Sequence, residues 1–239
     1  MEFVKGSMPG VEQYNIAVLE GDTHLGAWIK KTGRIDTDQM LPHLRKYVTM
    51  ESVVYDLGTH IGDHTAFYCS RRPKQVVGFE AFKDAFDCLV HNMKPYETFT
   101  ELRLFNLCVG DAELVDKAKT AEIHNLGARR LVKGVEGVPT VRLDDMVESG
   151  QIKPATFVKV DIEGWEVNAI RGAAKILTKY KPVLCVEVNR GMLERAGTSR
   201  EELFSVLRSF GYSMTDVFTE RPWNNDDNRE QFDVICKKE

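Results

Sequence analysis

The sequence predicts a doubly wound, Rossmann-like α/β fold whose seven-stranded sheet is mainly parallel and carries an antiparallel strand near the C-terminus. From about residue 52 onward, short apolar runs alternate with segments of helical periodicity, which is the pattern of β-α units. The last two strand-like runs, 212–218 and 231–237, are joined by a polar loop without a helix, which favours antiparallel pairing. A length of 239 residues suits one domain of this kind.

Five further strands precede this pair. They are predicted at 53–57, 75–80, 102–109, 156–161 and 182–189. Helical periodicity predicts helices over 64–71 and 82–93 and along the stripe Val167, Ile170, Ala174 and Leu177. A capping box formed by Ser199 and Glu202 opens a further helix, which is expected to stop at Gly211. Residues 113–141 alternate irregularly, and we interpret them as a loop or hairpin excursion.

Residues 1–50 stand outside this alternation. We interpret them as an N-terminal extension, with the main domain over 51–239. Within the extension, residues 14–20 are expected to form an extra strand, and residues 43–48 to end a helix that packs beside the sheet. No internal repeat and no Pro/Gly-rich linker divides the chain.

Composition restricts the partners and the compartment. A net charge of −4 argues against non-specific binding to nucleic acid, which normally needs a basic face. No apolar run approaches the roughly 18 residues that a membrane span needs. The five cysteines contain no C-x-x-C pair, so we expect buried, reduced thiols. These observations predict a cytoplasmic protein without a nucleic-acid or membrane partner.

A glycine-containing turn follows the first predicted strand and precedes a predicted helix. Its candidate cofactor ligands are Asp56, Gly58, Thr59, His60, Gly62 and Thr65. Glycines let a ligand approach the backbone closely, and a helix N-terminus offers unpaired N–H groups to a carboxylate. The methionine end of S-adenosylmethionine (SAM) carries such a carboxylate. The alternative is that the glycines only form a tight turn.

Acidic side chains follow the second and third predicted strands. Glu80 lies 24 positions after Asp56 (80 − 56), a spacing suited to a carboxylate that accepts hydrogen bonds from ribose hydroxyls. Its neighbour Ala81 is assigned to the same site. Asp111 is placed to accept from an adenine amino group, unless it only forms a turn. NAD is held through the same ribose contact, but G-x-x-x-G spacing rather than G-x-G-x-x-G favours SAM.

Carboxylates also follow the fourth and fifth predicted strands. Asp161 and Glu163 leave the fourth strand at positions i and i+2, and Glu187 lies near the end of the fifth. Such groups can orient a cofactor ammonium, deprotonate a hydroxyl or hold a divalent cation. The alternative for Asp161 is that it only caps the following helix.

Together these residues belong to a set of motifs. The set comprises D-L-G-x-x-x-G-D-H-T, G-F-E-A, V-G-D, T-V-R-L-D-D, V-K-V-D-I-E-G-W-E with R-G-A downstream, and V-E-V-N. It resembles the FkbM family of SAM-dependent methyltransferases over residues 52–190, most specifically in D-I-E-G-W-E and Arg171-Gly172-Ala173. The sequence departs from the family at Thr59-His60, where a small residue followed by Asn is common.

The resemblance implies a class I methyltransferase fold, SAM as methyl donor and, usually, O-methylation of a sugar, polyketide or related hydroxyl. By motif position it assigns these residues to the cofactor site: Asp56, Gly58, Gly62, Glu80, Asp111 and Asp161. Asp161, Glu163 and Glu187 are our candidate catalytic residues. A divalent cation such as Mg²⁺ on the same carboxylates is an alternative.

We therefore expect an O-methyltransferase whose residues 1–50, together with 113–141, cover a small-molecule or glycan acceptor. Arg129-Arg130 would either grip an anionic substrate or form a solvated pair. Two other functions remain open at this point. One is an NAD(P)-dependent oxidoreductase, and the other is a non-catalytic SAM-binding module.

Overall fold

The computed structural model describes residues 1–36, 38–111, 114–116, 129, 137–223 and 228–238. Its strands are β1 (Glu2–Met8), β2 (Val11–Val18), β3 (Val53–Leu57), β4 (Gln75–Phe79), β5 (Glu101–Phe105), β6 (Cys108–Val109), β7 (Leu114–Asp116), β8 (Gly137–Val141), β9 (Phe157–Val160), β10 (Val183–Asn189), β11 (Tyr212–Asp216) and β12 (Gln231–Lys238). Its helices are α1 (Leu25–Thr32), α2 (Leu41–Leu44), α3 (Asp63–Ser70), α4 (Lys83–Met93), α5 (Leu143–Glu148), α6 (Glu166–Gly172), α7 (Ala174–Lys179), α8 (Arg190–Arg195) and α9 (Arg200–Ser209). None of the described helices is long and apolar enough to cross a membrane.

The central sheet has seven strands in the order β5-β4-β3-β9-β10-β12-β11. Neighbouring strands run parallel from β5 to β10, and β12 is antiparallel to both β10 and β11. The predicted mainly parallel sheet with its antiparallel strand is thus confirmed. From β3 the chain continues first to β4 on one side, and it reaches β9 on the other side only later. A crevice forms at the carboxyl ends of strands where the order reverses in this way.

Side chains alternate between two hydrophobic layers along the strands. On β3, Val53, Tyr55 and Leu57 belong to the layer that contains α5, α6, α7 and α9. Val54 belongs to the opposite layer, which contains α3 and α4. All five β3 residues are buried, as expected for a central parallel strand covered on both faces. The carboxyl end of β3 is therefore held rigidly at the crevice.

The N-terminal region packs onto α3 and α4. Strands β1 and β2 form an antiparallel hairpin, and Ile16, Ile29 and Leu44 share the hydrophobic layer of Val54. Asn92 of α4 is fully buried and joins this hairpin to the glycine turn. Its Oδ1 accepts from Ala17 N at 2.8 Å, and its Nδ2 donates to the carbonyls of Ala17 and Ile61. The first 50 residues thus contribute to one core with the sheet.

Several element boundaries differ from the sequence prediction. The strand predicted over 102–109 is wrong as one element, because the chain turns at Asn106 between β5 and β6. The Asn106 amide donates to the carbonyls of Glu80 and Ala81, which directs the chain out of the large sheet. The helix predicted after residue 165 divides into α6 and α7 at Ala173. Neither β1 nor α8 was predicted.

The excursion predicted over 113–141 is described only in part. Residues 112–113, 117–128 and 130–136 lie outside the described residues. In the described part, β7 pairs with β8 in antiparallel fashion, and β8 pairs with β6 in parallel. The hairpin prediction fits this pairing.

Candidate active site

A cavity of about 340 Å³ lies at the carboxyl ends of the central strands. This volume is within the range of small-molecule sites, roughly 300–1,000 Å³. Most of the predicted site residues line it: Gly58, His60, Glu80, Ala81, Asp161, Glu163 and Glu187. The turns after β3, β4, β9 and β10 therefore meet at one place, as parallel strands require.

Gly58 lets β3 and β9 approach each other closely. Its φ is +86°, and a Cβ at this position would lie 1.7 Å from the carbonyl oxygen of Asp161. Asp161 N donates to Leu57 O at 3.0 Å, which holds the two strand ends together. A glycine is therefore needed here by backbone contact as well as by conformation.

Asp56, Thr59, Gly62, Thr65 and Asp111 do not line the cavity. Asp56 is buried and accepts a hydrogen bond of 2.6 Å from the Thr65 hydroxyl, so the two side chains join β3 to α3. Burial raises the pKa of Asp56 to about 6. Asp111 is exposed, although Cys108 and Val109 just before it line the cavity. Direct cofactor contact by these five residues stays a prediction.

Glu80 presents a carboxylate that is fixed by two backbone donors. Its Oε2 accepts from His60 N at 2.8 Å and its Oε1 accepts from Phe82 N at 2.7 Å. The side chain is 6% exposed, and burial raises its pKa to about 7. The two hydrogen bonds thus fix the orientation of the Glu80 carboxylate, which forms part of the cavity wall beside the glycine turn.

Two further side chains complete this side of the cavity. His60 has φ +49°, and its Nε2 is buried without a hydrogen-bond partner among the described residues. Burial lowers the pKa of His60, so the ring is neutral near pH 7. Arg129 lies over the Phe82 ring at 4.3 Å and donates to both carboxylate oxygens of Asp84. Arg130 lies outside the described residues.

The opposite side of the cavity holds three clustered carboxyl groups, which we call the carboxylate trio: Asp161, Glu163 and Glu187. One oxygen from each lies within 4.8 Å of the others. Glu187 Oε1 accepts from Gln231 Nε2 at 2.6 Å, whereas Glu187 Oε2 and Glu163 Oε2 are buried without a partner among the described residues. Two acceptor oxygens are therefore available to a ligand.

Burial and mutual repulsion set the charges within the trio. Burial and the Asp161 charge raise the pKa of Glu163 to about 8. Burial and the charges of Asp161 and Glu163 raise the pKa of Glu187 well above its ordinary value. Burial alone would raise the pKa of Asp161, but Lys159 and His64 lower it below the ordinary value. As pH rises, Asp161 is therefore the first member of the trio to lose its proton.

Glu166 stabilises the turn that contains Glu163. Glu166 Oε1 accepts from the backbone N of Ile162 and of Gly164, at 3.2 and 3.1 Å. Glu163 itself has φ +54°, a conformation that costs a non-glycine residue energy and often occurs at functional sites. The D-I-E-G-W-E motif thus forms a hydrogen-bonded turn that positions Glu163 at the cavity.

Lys159 lies behind the cavity wall and bonds the site residue Asp161, a contact that sequence reasoning missed. Its side chain is 1% exposed, and its Nζ donates to Asp161 Oδ2 at 3.0 Å and to Asp233 Oδ1 at 3.2 Å. Burial would lower its pKa, but the two aspartates raise it well above the ordinary value. The signal was a lysine inside the apolar run of a predicted strand, which needs a buried counter-charge.

His64 and Asp38 form a second charged pair at the cavity, which was also missed. His64 Nε2 bonds Asp38 Oδ2 at 2.9 Å, and both residues line the cavity. Burial would lower the pKa of His64, but Asp63 and Asp38 raise it to about 9. Burial would raise the pKa of Asp38, but His64 lowers it to about 2. Asp38 brings the N-terminal region into the site.

Comparison with known proteins agrees with this architecture. A family model described as the methyltransferase FkbM domain matches residues 56–214, more than half of the 239-residue chain. The hexuronic acid methyltransferase AglP of Haloferax volcanii is 30% identical over 144 residues, which cover 59% of this chain and 58% of that protein. The chain thus matches little more than half of the length of this relative.

Solved structures show the same fold at low sequence identity. A methyltransferase FkbM from Methylobacillus flagellatus superposes with a TM-score of 0.54 at 16% identity, over 79% of this chain and 44% of that one. A protein from Clostridium thermocellum that is described as a putative rRNA-methylase gives a TM-score of 0.50 at 15% identity, over 84% of this chain and 93% of that one. With the family match over its motif-bearing core, the chain belongs to the FkbM family of methyltransferases.

Proposed function

We propose that this chain is a SAM-dependent O-methyltransferase that acts on a hydroxyl of a sugar or a related small molecule or glycan. One observation carries the proposal. The carboxylate trio, with its two unpartnered oxygens, faces the same cavity as Gly58 and Glu80. A proton acceptor and a nucleoside-binding carboxylate therefore share one space.

The residues of the cavity fit SAM. Glu80 offers a fixed carboxylate to the ribose hydroxyls, and the Gly58 turn leaves room beside the backbone. Asp161 is the ionised member of the trio and suits the cofactor ammonium. His60, with its neutral buried ring, lies at the same turn. Bound SAM would supply a methyl group activated by its sulfonium.

Glu163 and Glu187 are our candidates for the proton acceptor, once the positive charge of bound SAM lowers their raised pKa values and ionises one of them. An alkyl hydroxyl is a poor nucleophile at neutral pH, and a positioned base typically contributes about 10²–10⁴-fold to rate. The unpartnered Oε2 atoms of both residues can accept a hydrogen bond from an acceptor hydroxyl. A hydroxyl held at these atoms would gain a further contribution from orientation.

The alternatives differ in what they require of the same residues. Because the chain belongs to a methyltransferase family, we set the NAD(P)-dependent oxidoreductase aside. In the Mg²⁺ alternative, the carboxylate trio holds the cation, since hard cations prefer oxygen ligands. Chelator treatment that abolishes turnover, with recovery on adding Mg²⁺, would favour the cation. Turnover that ignores the chelator would favour the direct base.

The acceptor class rests on the relative named for hexuronic acid and on the N-terminal region. Asp38 lies in the predicted extension and lines the cavity. This placement supports our proposal that residues 1–50 help to bind the acceptor. The five cysteines are buried and free, which fits a reducing compartment, and we propose the cytoplasm.

Isotope-labelled SAM tests the proposed function. The intact chain would be incubated with SAM carrying a CD₃ group and a panel of uronic acids, neutral sugars and glycans, and the products would be analysed by mass spectrometry. We expect a labelled methyl ether on at least one carbohydrate. Binding of SAM without any transfer to a hydroxyl would instead support the non-catalytic binding module.

A further inference from the structure

A second cavity, of about 610 Å³, lies next to the candidate active site. Its walls come from the β1–β2 turn, the segment between α1 and α2, the start of α2 with Arg45 just after it, and the C-terminal end of α3. We call it the arginine cavity because Arg34, Arg45 and Arg71 line it. Asp38 lines both cavities, so this residue belongs to the wall of each.

Charge pairing leaves the arginine cavity positive. Arg34 donates to both carboxylate oxygens of Asp36, at 3.2 and 2.9 Å, so these two charges cancel. Asp38 is paired in the same way with His64. Among the ion pairs of the described residues, none includes Arg45 or Arg71. Two guanidinium groups therefore face the cavity without a carboxylate partner.

The buried part of the Arg71 side chain also lacks a hydrogen-bond partner in the described part of the chain. Its Nε is buried, and it has no hydrogen-bond partner among the described residues. A buried donor without a partner is rare because its desolvation is costly. The planar guanidinium matches carboxylate and phosphate oxygens with two parallel N–H donors. A ligand oxyanion would satisfy this group.

The position of Arg71 determines how far such a ligand would extend from the candidate active site. His64, which bonds Asp38, lies in the first turn of α3, and Arg71 follows its last residue. Seven residues along a helix correspond to about 10 Å. An anionic group at Arg71 would thus lie about one helix length from the active-site wall.

We infer that the arginine cavity binds an oxyanion of the acceptor, a carboxylate or a phosphate, while the hydroxyl to be methylated lies at the carboxylate trio. This inference rests on the proposed function and adds the charge class of the substrate. It requires an acceptor that is extended enough to reach both cavities, such as a glycan with an acidic residue or a sugar phosphate.

The test measures anion binding directly and needs no methyl transfer. The Arg Nε–Hε signals of the ¹⁵N-labelled intact chain would be followed by NMR during titration with D-glucuronate, glucose 1-phosphate and neutral glucose. We expect saturable shifts of the Arg71 signal with one or both anions, and none with glucose. The anion with the stronger binding distinguishes carboxylate from phosphate.

Variants locate the binding. Arg45→Gln and Arg71→Gln are each expected to weaken anion binding about tenfold, the loss of one charge-assisted contact. Arg72→Gln is the matched control, because Arg72 follows Arg71 but lies over the Phe99 ring and does not line the cavity. Arg45 is exposed, so its substitution leaves the core intact even where Arg71→Gln perturbs folding.

Two results would overturn the inference. One is the absence of a saturable shift with either anion, and the other is unchanged anion binding in Arg45→Gln. SAM affinity, measured separately by calorimetry, reports on the proposed function instead. Anion binding with no affinity for SAM would refute the methyltransferase proposal while leaving the oxyanion site in place.

Discussion

The two cavities that share Asp38 in their walls differ in the charged side chains that line them. The candidate active site is lined by Glu80 and the carboxylate trio, whereas the neighbouring cavity is lined by three arginines. The first suits a cofactor that carries a sulfonium and an ammonium, and the second suits an anionic acceptor. We infer from the contrast that charge directs the donor to the first cavity and the anionic group of the acceptor to the second.

The two cavities also differ in how they are built. The first is formed by turns at the ends of parallel strands, where the backbone fixes each side chain. The second is formed by the N-terminal region and one end of α3. The turns at the carboxyl ends of the strands tolerate few substitutions. The surfaces of packed helices and hairpins can vary in charge without loss of the fold. We therefore propose that the central sheet positions the donor, whereas the N-terminal region that packs on it selects the acceptor.

The largest effect is expected from removing the proposed bases. The double variant Glu163→Gln/Glu187→Gln should lower kcat by about 10²–10⁴-fold, because the hydroxyl loses its proton acceptor. SAM affinity should stay close to that of the unmodified chain. Steady-state rates with the identified acceptor and calorimetry with SAM provide the two measurements. Glu194→Gln, at an exposed glutamate of α8, is the matched control. Near-normal turnover in the double variant would leave orientation alone as the catalytic device.

Gly58→Ala tests the backbone contact that builds the first cavity. The free energy of unfolding should fall by about 2–5 kcal/mol, since the added Cβ meets the Asp161 carbonyl in a left-handed conformation. Gly150→Ala serves as control, because Gly150 has φ +75° with nothing within 4 Å of an added Cβ. There we expect a loss of about 1–2 kcal/mol. Urea unfolding with equal losses at both positions would contradict the close approach of β3 and β9.

Glu80→Ala addresses the cofactor side alone. We expect SAM binding to weaken by about 1–3 kcal/mol, the scale of lost hydrogen bonds to a charged group. Calorimetry on the folded variant checks this value, with the exposed Glu97→Ala as control. Unchanged SAM affinity would remove the ribose assignment of Glu80.

Asp38→Asn tests the pair that joins the two cavities. The raised pKa of His64 gives stability that is complete below about 6.5 and is lost as pH rises through about 9. The lowered pKa of Asp38 gives stability that is present above about 3.8 and is lost as pH falls towards about 2. The variant should therefore unfold more easily between about pH 4 and 6.5.

The size of this effect is modest, about 1–2 kcal/mol, because the Asp38 side chain is 37% exposed and solvent screens the pair. Urea unfolding of both proteins across pH 4–10 measures it. The difference between them should shrink above pH 9. A difference that does not change with pH would show that His64 and Asp38 do not titrate as a pair.

Much of the first cavity could be predicted from the sequence. Strands β3, β4, β9 and β10 show as short apolar runs, and the residues just after them are fixed by the strand ends. Glu80, Asp161, Glu163 and Glu187 were identified because parallel strands bring their carboxyl ends together. Asp56 and Thr65 were also identified, but the motif does not tell whether a side chain faces the cavity or the neighbouring helix.

The remaining site residues depend on contacts between distant parts of the chain. Lys159 meets Asp233 across 74 positions, and His64 meets Asp38 across 26. No local periodicity specifies such pairs, since each partner alone is an ordinary charged residue in a strand or loop. The same holds for Arg45 and Arg71, which lie in different elements and meet only when the N-terminal region packs on α3.

The most direct test of the central claim is a crystal structure of the intact chain with S-adenosylhomocysteine, the demethylated product of SAM. We expect the ligand to occupy the cavity between Gly58 and the carboxylate trio, with its ribose hydroxyls bonded to the Glu80 carboxylate. The arginine cavity should remain open beside it. A ligand bound elsewhere, or in this cavity without contact to Glu80, would contradict the assignment of this cavity to the methyl donor.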